Sequence, residues 1–347
     1  MNIGINNKEM KIGILTFHWA INYGAVLQSC ALQSFLTDKG HEVEIINYIP
    51  FSFKYNLSYF IANPKRLYYI KDVLRNVKKN RVLEIFRNNY LHRSAETNTY
   101  LDLCGIVGKY DVLISGSDQV LNPSFAEFGE GKPTPTYFLK FDVPAKKIGY
   151  AVSFGCVVYP DSIKELAQKW VGYFDKVGAR ERTGISILES LNYSHLCGVV
   201  PDPLILYGNE LLKRICIKRV IESNYSSAYI LRNTDVPVPG GWVVIDDYTP
   251  YKMEEWISII AFSSHFITNS FHGMLIAILF HVPFAVYLEK GEQAGMNDRF
   301  YTTLDYLGLK DRIVNDISHP IFKNINWEVV DSKLKEFALV GEDFLAL

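Results

Sequence analysis

The 347-residue sequence has few cysteines and no long hydrophobic run. Its five cysteines are odd in number and include no CxxC pair, which favours reduced thiols over a disulfide framework or a zinc site. No apolar run approaches the roughly 18 to 20 residues of a membrane-spanning helix. Residues 1–10 also lack the basic-then-apolar order of a signal peptide, so we expect a cytoplasmic protein.

An excess of charge of one sign is also missing. The chain has 36 basic and 37 acidic residues and a formal net charge of −1, which gives no reason to expect a nucleic-acid partner. The motifs GxGxxG, HExxH and GxSxG are absent, and Asp246-Asp247 is not the DxD of metal-dependent glycosyl transfer. We therefore expect no dinucleotide cofactor, no metal ion and no α/β-hydrolase serine.

What the sequence does contain is an alternation of short apolar runs and helical patterns. Residues 11–16 and 43–47 are typical of buried strands, and residues 24–39 between them have helical spacing. A second series of strands and helices begins near residue 225. This pattern predicts an α/β fold with parallel sheets, arranged as two Rossmann-like domains that face a cleft. We place the domains at 1–175 and 176–347, although no linker composition marks the boundary.

Residues 64–93 have a different character from the rest of the chain. They contain nine Lys or Arg residues and two acidic ones, while Leu67, Ile70, Leu74 and Val77 keep a helical apolar stripe. An aromatic stretch at 51–60 precedes them. Two interpretations stay open, namely a solvated helix packed on its domain and a surface that contacts anionic lipid headgroups.

Ligands of open α/β sheets bind beyond the carboxyl ends of the strands, and four loops here have that position. The first runs from 18 to 24. Asn22 can donate and accept hydrogen bonds, and Gly24 allows a close backbone approach to a ligand, with Tyr23 between them. An ordinary start of a helix explains the same residues equally well.

The second loop follows a predicted strand at 111–114. Ser117, Asp118 and Gln119 would present amides and one carboxylate to an anion or to sugar hydroxyls, and Asp118 could serve as a general base. Helix capping is the structural alternative for these residues. The third loop contains Arg180, whose guanidinium suits a carboxylate or a phosphate, with a surface ion pair as the alternative.

The fourth loop lies between a predicted strand at 265–268 and an apolar helix at 272–280. It places His272 at a helix N-terminus, next to Asn269, Ser270 and Gly273. A lone histidine often has only a structural role, but its position at a strand-to-helix switch favours a functional one. Arg299 is a further candidate cation.

Together these loops resemble the polysaccharide pyruvyl transferase family. The resemblance extends over about residues 11 to 312. Each match is modest, but six matches in the order of the family are specific. Two departures stand out, namely Leu121 where many relatives carry Trp and Ser270 where members often carry Arg. The matching segments are Asn22–Gln28, Ile114–Val120 with Asn122-Pro123, Tyr150–Gly155, Ala179–Glu181, Pro201–Pro203, and Asn269–Gly273 followed by Pro283-Phe284.

The resemblance implies phosphoenolpyruvate as the donor substrate, no separate cofactor, and a fold like that of the GT-B glycosyltransferases. It implies a pyruvate ketal that joins two hydroxyls of a sugar, with an acceptor that is lipid-linked at the inner face of the membrane. The N-terminal domain would then hold the acceptor and the C-terminal domain the donor.

The same resemblance suggests a role for each candidate residue. His272 and Asp118 are the expected catalytic residues. The expected donor-binding residues are Arg180, Arg299, Ser270, Asn269 and Gly273, and the expected acceptor-binding residues are Asn22, Tyr23, Ser117 and Gln119. Residues 64–93 would provide a peripheral contact with anionic membrane.

Two other functions remain open at this stage. One is a nucleotide-sugar glycosyltransferase of the same fold, for which Glu289 is the candidate ribose ligand in the C-terminal half. The other is a carbohydrate-binding protein that has lost its donor site, an interpretation that Ser270 keeps open. Binding of phosphoenolpyruvate or of a sugar nucleotide would distinguish these functions.

Overall fold

The computed structural model of the protein describes residues 9–50, 70–125, 133–232, 238–246, 249–316 and 322–347. These residues form two compact units. The first contains residues 9–19, 29–50, 91–125 and 133–200, and the second contains 20–28, 70–90 and the described residues from 201 onward. Each unit is built on one parallel β-sheet flanked in sequence by helices, which confirms the predicted α/β class with two Rossmann-like sheets.

The first sheet contains β1 (Lys11–Leu15), β2 (Glu42–Ile45), β3 (Val112–Asp118), β4 (Lys146–Val152), β5 (Lys176–Ala179) and β6 (Leu196–Val199). All neighbouring strands are parallel, in the order β2-β1-β3-β4-β5-β6. The direction in which strands are added therefore reverses between β1 and β3. Such a switch point is where open α/β sheets bind ligands.

The second sheet contains β7 (Ser227–Tyr229), β8 (Val243–Ile245), β9 (Phe266–Thr268), β10 (Phe284–Tyr287) and β11 (Ile313–Val314). These strands are also parallel, in the order β11-β10-β9-β7-β8. The switch point of this sheet lies between β7 and β9, in a strand order that also occurs in flavodoxin-like folds.

The helices of the first unit are α3 (Tyr100–Ile106), α4 (Asp161–Val171) and α5 (Arg182–Ser190), and α1 (Tyr23–Asp38) contributes its residues after Gln28. The second unit contains α2 (Ile70–Tyr90), α6 (Pro203–Arg214), α7 (Met253–Ala261), α8 (Phe271–Leu279), α9 (Asp298–Leu307) and α10 (Trp327–Phe344), together with the first residues of α1. Among the described residues, no helix is long and apolar enough to cross a membrane.

Burial follows the sequence pattern of each element. In β1, the side chains of Ile12, Ile14 and Leu15 are fully buried, as expected for a strand in the middle of a parallel sheet. Helix α4 buries Ile163, Ala167 and Trp170 at helical spacing. Helix α8 differs, since Phe271 and the next seven residues are all buried. A helix that is apolar all around is enclosed on all sides, so the loop that precedes α8 is held in a fixed position.

The division between the units differs from the predicted boundary between residues 175 and 176. Strands β5 and β6 pair with β4 in the first sheet, so residues 176–200 belong to the first unit. Residues 20–28 and 70–90 belong to the second unit although they precede that boundary. Part of the basic segment, residues 64–69, lies outside the described residues, as does the aromatic stretch 51–60. The rest of the basic segment forms α2 and the three residues that follow it.

Candidate active site

His272 lies in the first turn of α8, as the sequence predicts. Ser270, two residues before His272, is the N-cap of this helix. Its Oγ accepts a hydrogen bond of 3.2 Å from the Gly273 amide. The Ser270 amide donates to Thr268 Oγ1 at 2.9 Å, and the Thr268 hydroxyl donates to the carbonyl of Tyr229 at 2.7 Å. These bonds tie the start of α8 to the neighbouring strand β7.

Two residues at the starts of other helices, Asp202 and Gly24, confine the imidazole of His272. Its Nε2 lies 3.4 Å from Asp202 Oδ2, and the two side chains are 7% and 0% exposed. Asp202 is itself held in place, since its Oδ1 accepts from the Leu204 amide at 3.0 Å as the N-cap of α6. Gly24 packs against the ring so closely that a Cβ there would lie 2.1 Å from Nδ1. The imidazole is therefore confined between a buried carboxylate and a bare stretch of backbone.

Nε2 of His272 has no hydrogen-bond partner among the described residues, because its approach to Asp202 does not meet hydrogen-bond geometry. A buried ring nitrogen without such a bond is costly unless a ligand satisfies it. The position of this nitrogen at a helix N-terminus also favours an anionic ligand. His272 is therefore a buried imidazole at a helix N-terminus, with Nε2 beside the Asp202 carboxylate.

Arg299 is a second buried cation of this unit. It lies in the first turn of α9 and is 7% exposed. Its Cζ lies 5.6 Å from the ring centroid of Phe271 and 5.5 Å from that of Phe300. Since Phe271 is the neighbour of His272 in the chain, the structure places the predicted cation Arg299 close to the start of α8.

Asn269 connects three strand ends of the second sheet. Its Oδ1 accepts from the Leu231 amide at 2.7 Å, and its Nδ2 donates to the Leu231 carbonyl at 3.3 Å, just after β7. The same Nδ2 donates to Glu289 Oε1 at 2.8 Å, just after β10. That oxygen also accepts from Arg232 Nη2 at 2.5 Å. The side chain of Asn269 is therefore committed to joining these strand ends.

In the first unit, the structure brings Asp118 and Arg180 together. Asp118 Oδ1 lies 3.4 Å from Arg180 Nη2, and Arg180 Nε lies 3.7 Å from Glu181 Oε2. The side chain of Arg180 is 1% exposed, whereas that of Asp118 is 16% exposed and so can contact a ligand. A predicted donor-binding residue and a predicted catalytic residue thus belong to the same cluster.

The backbone of Asp118 is unusual for a residue with a side chain. It has a φ of 76°, in the left-handed region, at the end of β3. Its carbonyl accepts from the amides of Val120 and Ser153 at 2.8 and 2.9 Å, which holds this turn in place. Backbone strain that the surrounding structure maintains is often found at functional sites.

The other polar residues of this loop support its shape. Gln119 Oε1 accepts from Asn122 Nδ2 at 2.7 Å, and both atoms pack on Gly155, where a Cβ would lie within 2.5 Å of each. Ser117 is fully buried, and its carbonyl accepts from Thr16 Oγ1 at 3.2 Å. Ser117 and Gln119 therefore position Asp118 within the cluster.

The two residues predicted at the start of α1 have structural roles. Asn22 Oδ1 accepts from the Ala25 amide at 3.1 Å, the geometry of a helix cap. Tyr23 is fully buried, stacks on Trp256 at 5.1 Å between ring centroids, and donates to the Tyr251 carbonyl at 2.9 Å. This burial argues against a direct contact of Tyr23 with an acceptor, and the cap explains Asn22 without one.

Sequence reasoning missed two features of the site. It interpreted Asp202 as part of a turn after a strand and of a family motif, although an Asp-Pro pair after a strand is also a signal for a helix cap. It interpreted Gly24 as room for a ligand, whereas the structure uses that room for the ring of His272. The contact between these residues and His272 is tertiary, so no local sequence signal could have revealed it.

The chain is similar to several solved structures at low sequence identity. E. coli ADP-heptose LPS heptosyltransferase II is 12% identical with a TM-score of 0.38, and the match covers 96% of this chain and 100% of that one. UDP-GlcNAc 2-epimerase from Neisseria meningitidis, bound to UDP-GlcNAc, is 7% identical with a TM-score of 0.44, over 97% and 94% of the two chains. No curated protein sequence matches the chain significantly. The sequence model of one family, polysaccharide pyruvyl transferase, matches residues 22–289, which is most of the chain, and the protein therefore belongs to the polysaccharide pyruvyl transferase family.

Proposed function

We propose that the protein transfers pyruvate from phosphoenolpyruvate to a sugar of a polysaccharide repeat unit and forms a ketal with two of its hydroxyls. The observation that carries this proposal is the confined imidazole of His272, which presents an unbonded nitrogen at a helix N-terminus. Phosphoenolpyruvate carries a phosphate and a carboxylate, which a helix N-terminus and arginines can bind. Its reaction also needs a proton donor, a role that histidine commonly fills.

The donor is proposed to bind at the start of α8. Ser270 and Gly273 shape the first turn of the helix, whose amides and dipole favour the anion. Arg299 supplies a positive charge near Phe271. For Arg180, which is paired with Asp118 in the first unit, a role in donor binding stays a prediction. Asn269 contributes by holding the strand ends in position, since its side chain already has protein partners.

The reaction has a simple balance of atoms and protons. His272 gives a proton to the methylene carbon of phosphoenolpyruvate, which becomes a methyl group and leaves C2 electrophilic. One sugar hydroxyl adds to C2 and loses its proton, the bond from C2 to the phosphate oxygen breaks, and the second hydroxyl closes the ketal. Of the two hydroxyl protons, one restores His272 and the other leaves with the phosphate. Asp118 is proposed as the base or hydrogen-bond acceptor for a sugar hydroxyl.

The test is isothermal titration of the protein with phosphoenolpyruvate, and in parallel with UDP-sugars. We expect phosphoenolpyruvate to bind, and His272→Ala and Arg180→Ala to weaken it. Binding of a sugar nucleotide alone would instead indicate a glycosyltransferase. The structure already argues against Glu289 as a ribose ligand, since its carboxylate is 8% exposed and bonded to Arg232 and Asn269. Binding of sugars alone would indicate a carbohydrate-binding protein without a donor site.

We also propose that helix α2 contacts anionic membrane and that the acceptor is lipid-linked. Leu74, Lys78, Arg81 and Ile85 recur at spacings of four, three and four residues and so share one face, on which Leu74 and Ile85 are 52% and 62% exposed. Arg75 lies beside this face and is exposed. Apolar and basic side chains together are the combination that interfacial helices use.

Not every basic residue of the segment takes part in this surface. Lys79 is buried with its Nζ 4.7 Å from the ring centroid of Tyr23, and Arg87 is buried with Nη2 donating to the carbonyl of Ala20 at 2.8 Å. Replacing Arg75, Lys78 and Arg81 by Gln should cost about 1 kcal/mol each in binding to anionic vesicles. A matched triple change of the exposed Lys213, Arg214 and Lys335 should leave vesicle binding unchanged. Equal vesicle binding by both triple variants at low salt would refute the membrane proposal.

A further inference from the structure

The ion pair between Arg232 and Glu289 extends across one strand end of the second sheet. Arg232 follows β7 and Glu289 follows β10, while β9 lies between these two strands. Their contact, 2.5 Å between Nη2 and Oε1, therefore passes over the end of β9. Asn269, the first residue after β9, donates to the same Glu289 oxygen at 2.8 Å. The guanidinium thus lies at the strand end from which the chain continues to Ser270 and His272.

The backbone at Arg232 is strained in the same way as that at Asp118. Its φ is 65°, a left-handed conformation that costs an arginine about 1 kcal/mol or more. The hydrogen bonds between Asn269 and both backbone groups of Leu231, and the ion pair with the buried carboxylate of Glu289, help to maintain it. The side chain of Arg232 is nevertheless 40% exposed, so it borders the solvent at the switch point between β7 and β9.

We propose that Arg232 is an anion-binding residue of the donor site and supplies the positive charge that Ser270 does not. This inference rests on the proposed function. Position 270 is a serine whose side chain is committed to the cap of α8, so the residue at the start of this helix offers no cation. A guanidinium presents its N–H donors in a planar fork that suits a carboxylate or a phosphate, and the ion pair with Glu289 fixes the orientation of this partly exposed group. A carboxylate or a phosphate held at the first turn of α8 would then meet Arg232 from the side of β7.

The test is titration of phosphoenolpyruvate into the wild-type protein, Arg232→Gln and the control Arg214→Gln. Arg214 is an exposed arginine of the same unit, at the end of α6, so its variant removes the same charge from an unrelated position. We expect Arg232→Gln to weaken binding about 10- to 100-fold, the range for hydrogen bonds to charged groups. Arg214→Gln should bind as the wild type does. Parallel titrations with inorganic phosphate and with pyruvate show which end of the donor Arg232 contacts, because only that fragment should lose affinity in Arg232→Gln.

A second variant separates a lost charge from a disturbed fold. In the Arg232→Gln background, Ser270→Arg places a cation at the start of α8 and should recover at least part of the lost affinity, although it removes the helix cap. Thermal unfolding of each variant checks that the protein tested is folded. Equal affinity of Arg232→Gln and the wild type would overturn this inference alone. Failure of the wild type to bind phosphoenolpyruvate would overturn the proposed function and this inference together.

Discussion

The candidate residues at the strand ends of the two sheets are held in place in different ways. In the second sheet, His272 stands in a regular helix whose cap, Ser270, follows ordinary sequence rules. In the first sheet, the candidate residue is Asp118, which has a left-handed backbone and an ion pair with the buried Arg180. The difference teaches that the candidate residue of the second unit depends on helix capping, whereas that of the first unit depends on a strained turn. Substitutions should therefore act on side-chain chemistry in the second unit and on both chemistry and stability in the first.

The largest effect is expected from loss of His272, the proposed proton donor. His272→Ala should lower turnover with phosphoenolpyruvate by about a hundredfold or more, because general acid catalysis contributes about that much. Phosphate release in the presence of acceptor measures this rate. His281→Ala is the control, since His281 follows the other end of α8 and its side chain is 45% exposed. Near-normal turnover of His272→Ala would refute its catalytic role.

Gly24→Ala tests whether the position of the imidazole matters as much as its presence. The new methyl group would lie 2.1 Å from His272 Nδ1, so the ring must move. A displacement of about 1 Å can lower turnover about a hundredfold. Gly105→Ala is the matched control, because a Cβ at that helical position contacts nothing within 4 Å. If Gly24→Ala has full activity, the ring of His272 is not positioned by this contact.

Asp118→Asn examines the first unit. Asparagine also accepts the left-handed backbone, so the turn should be retained while the carboxylate is lost. We expect turnover to fall tens of fold, with a smaller change in melting temperature than in Asp118→Ala, which adds about 1 kcal/mol of backbone strain. Asp142→Asn, at an exposed position of the same unit, should change neither quantity. Equal melting temperatures of Asp118→Asn and Asp118→Ala would show that the turn is not strained.

The smallest effect is expected for the labelling rate of Cys156, which lies near Glu181 in the cluster of Asp118 and Arg180. Burial, with a lesser contribution from the Glu181 carboxylate, raises the pKa of this thiol to about 11. The thiolate is the reactive form, so at pH 8 labelling of Cys156 should be more than tenfold slower than that of the exposed Cys104 and Cys216, and should speed up as the pH rises toward 11. Mass spectrometry of peptides after a short labelling pulse measures the three rates. Comparable rates at pH 8 would contradict this description of the cluster.

The sequence predicted much of this fold, because parallel strands and apolar helices have strong local patterns. The strands near residues 11, 43, 112, 147 and 266 and the helix that begins at Phe271 were all predicted within a few residues. Helices α4, α5 and α6 were not predicted as such, although Asp202 and Pro203 mark the start of α6. The patterns of α4 and α5 are short and mixed with polar residues, which weakens the periodic signal.

The candidate site could be predicted only in part. The positions of His272, Asp118 and Arg180 after strands could be predicted, because they follow from the alternation of strands and helices, while the functional roles of these residues stay predictions. The contacts that define these residues could not be predicted, since Asp202 and Gly24 reach His272 only through the tertiary fold. Tyr23 was misleading for a similar reason, because an aromatic residue in a loop motif can belong to the core, as this one does with Trp256.

The central claim is that the protein moves the pyruvate group of phosphoenolpyruvate to a sugar. The most direct test is to incubate the protein with phosphoenolpyruvate labelled with carbon-13 at C2 and a panel of oligosaccharides, and to follow label and inorganic phosphate together. We predict that the label appears in the sugar as a ketal carbon, with one phosphate released for each ketal formed and neither product with His272→Ala. Transfer of a sugar from a nucleotide, with the label left in phosphoenolpyruvate, would contradict the account.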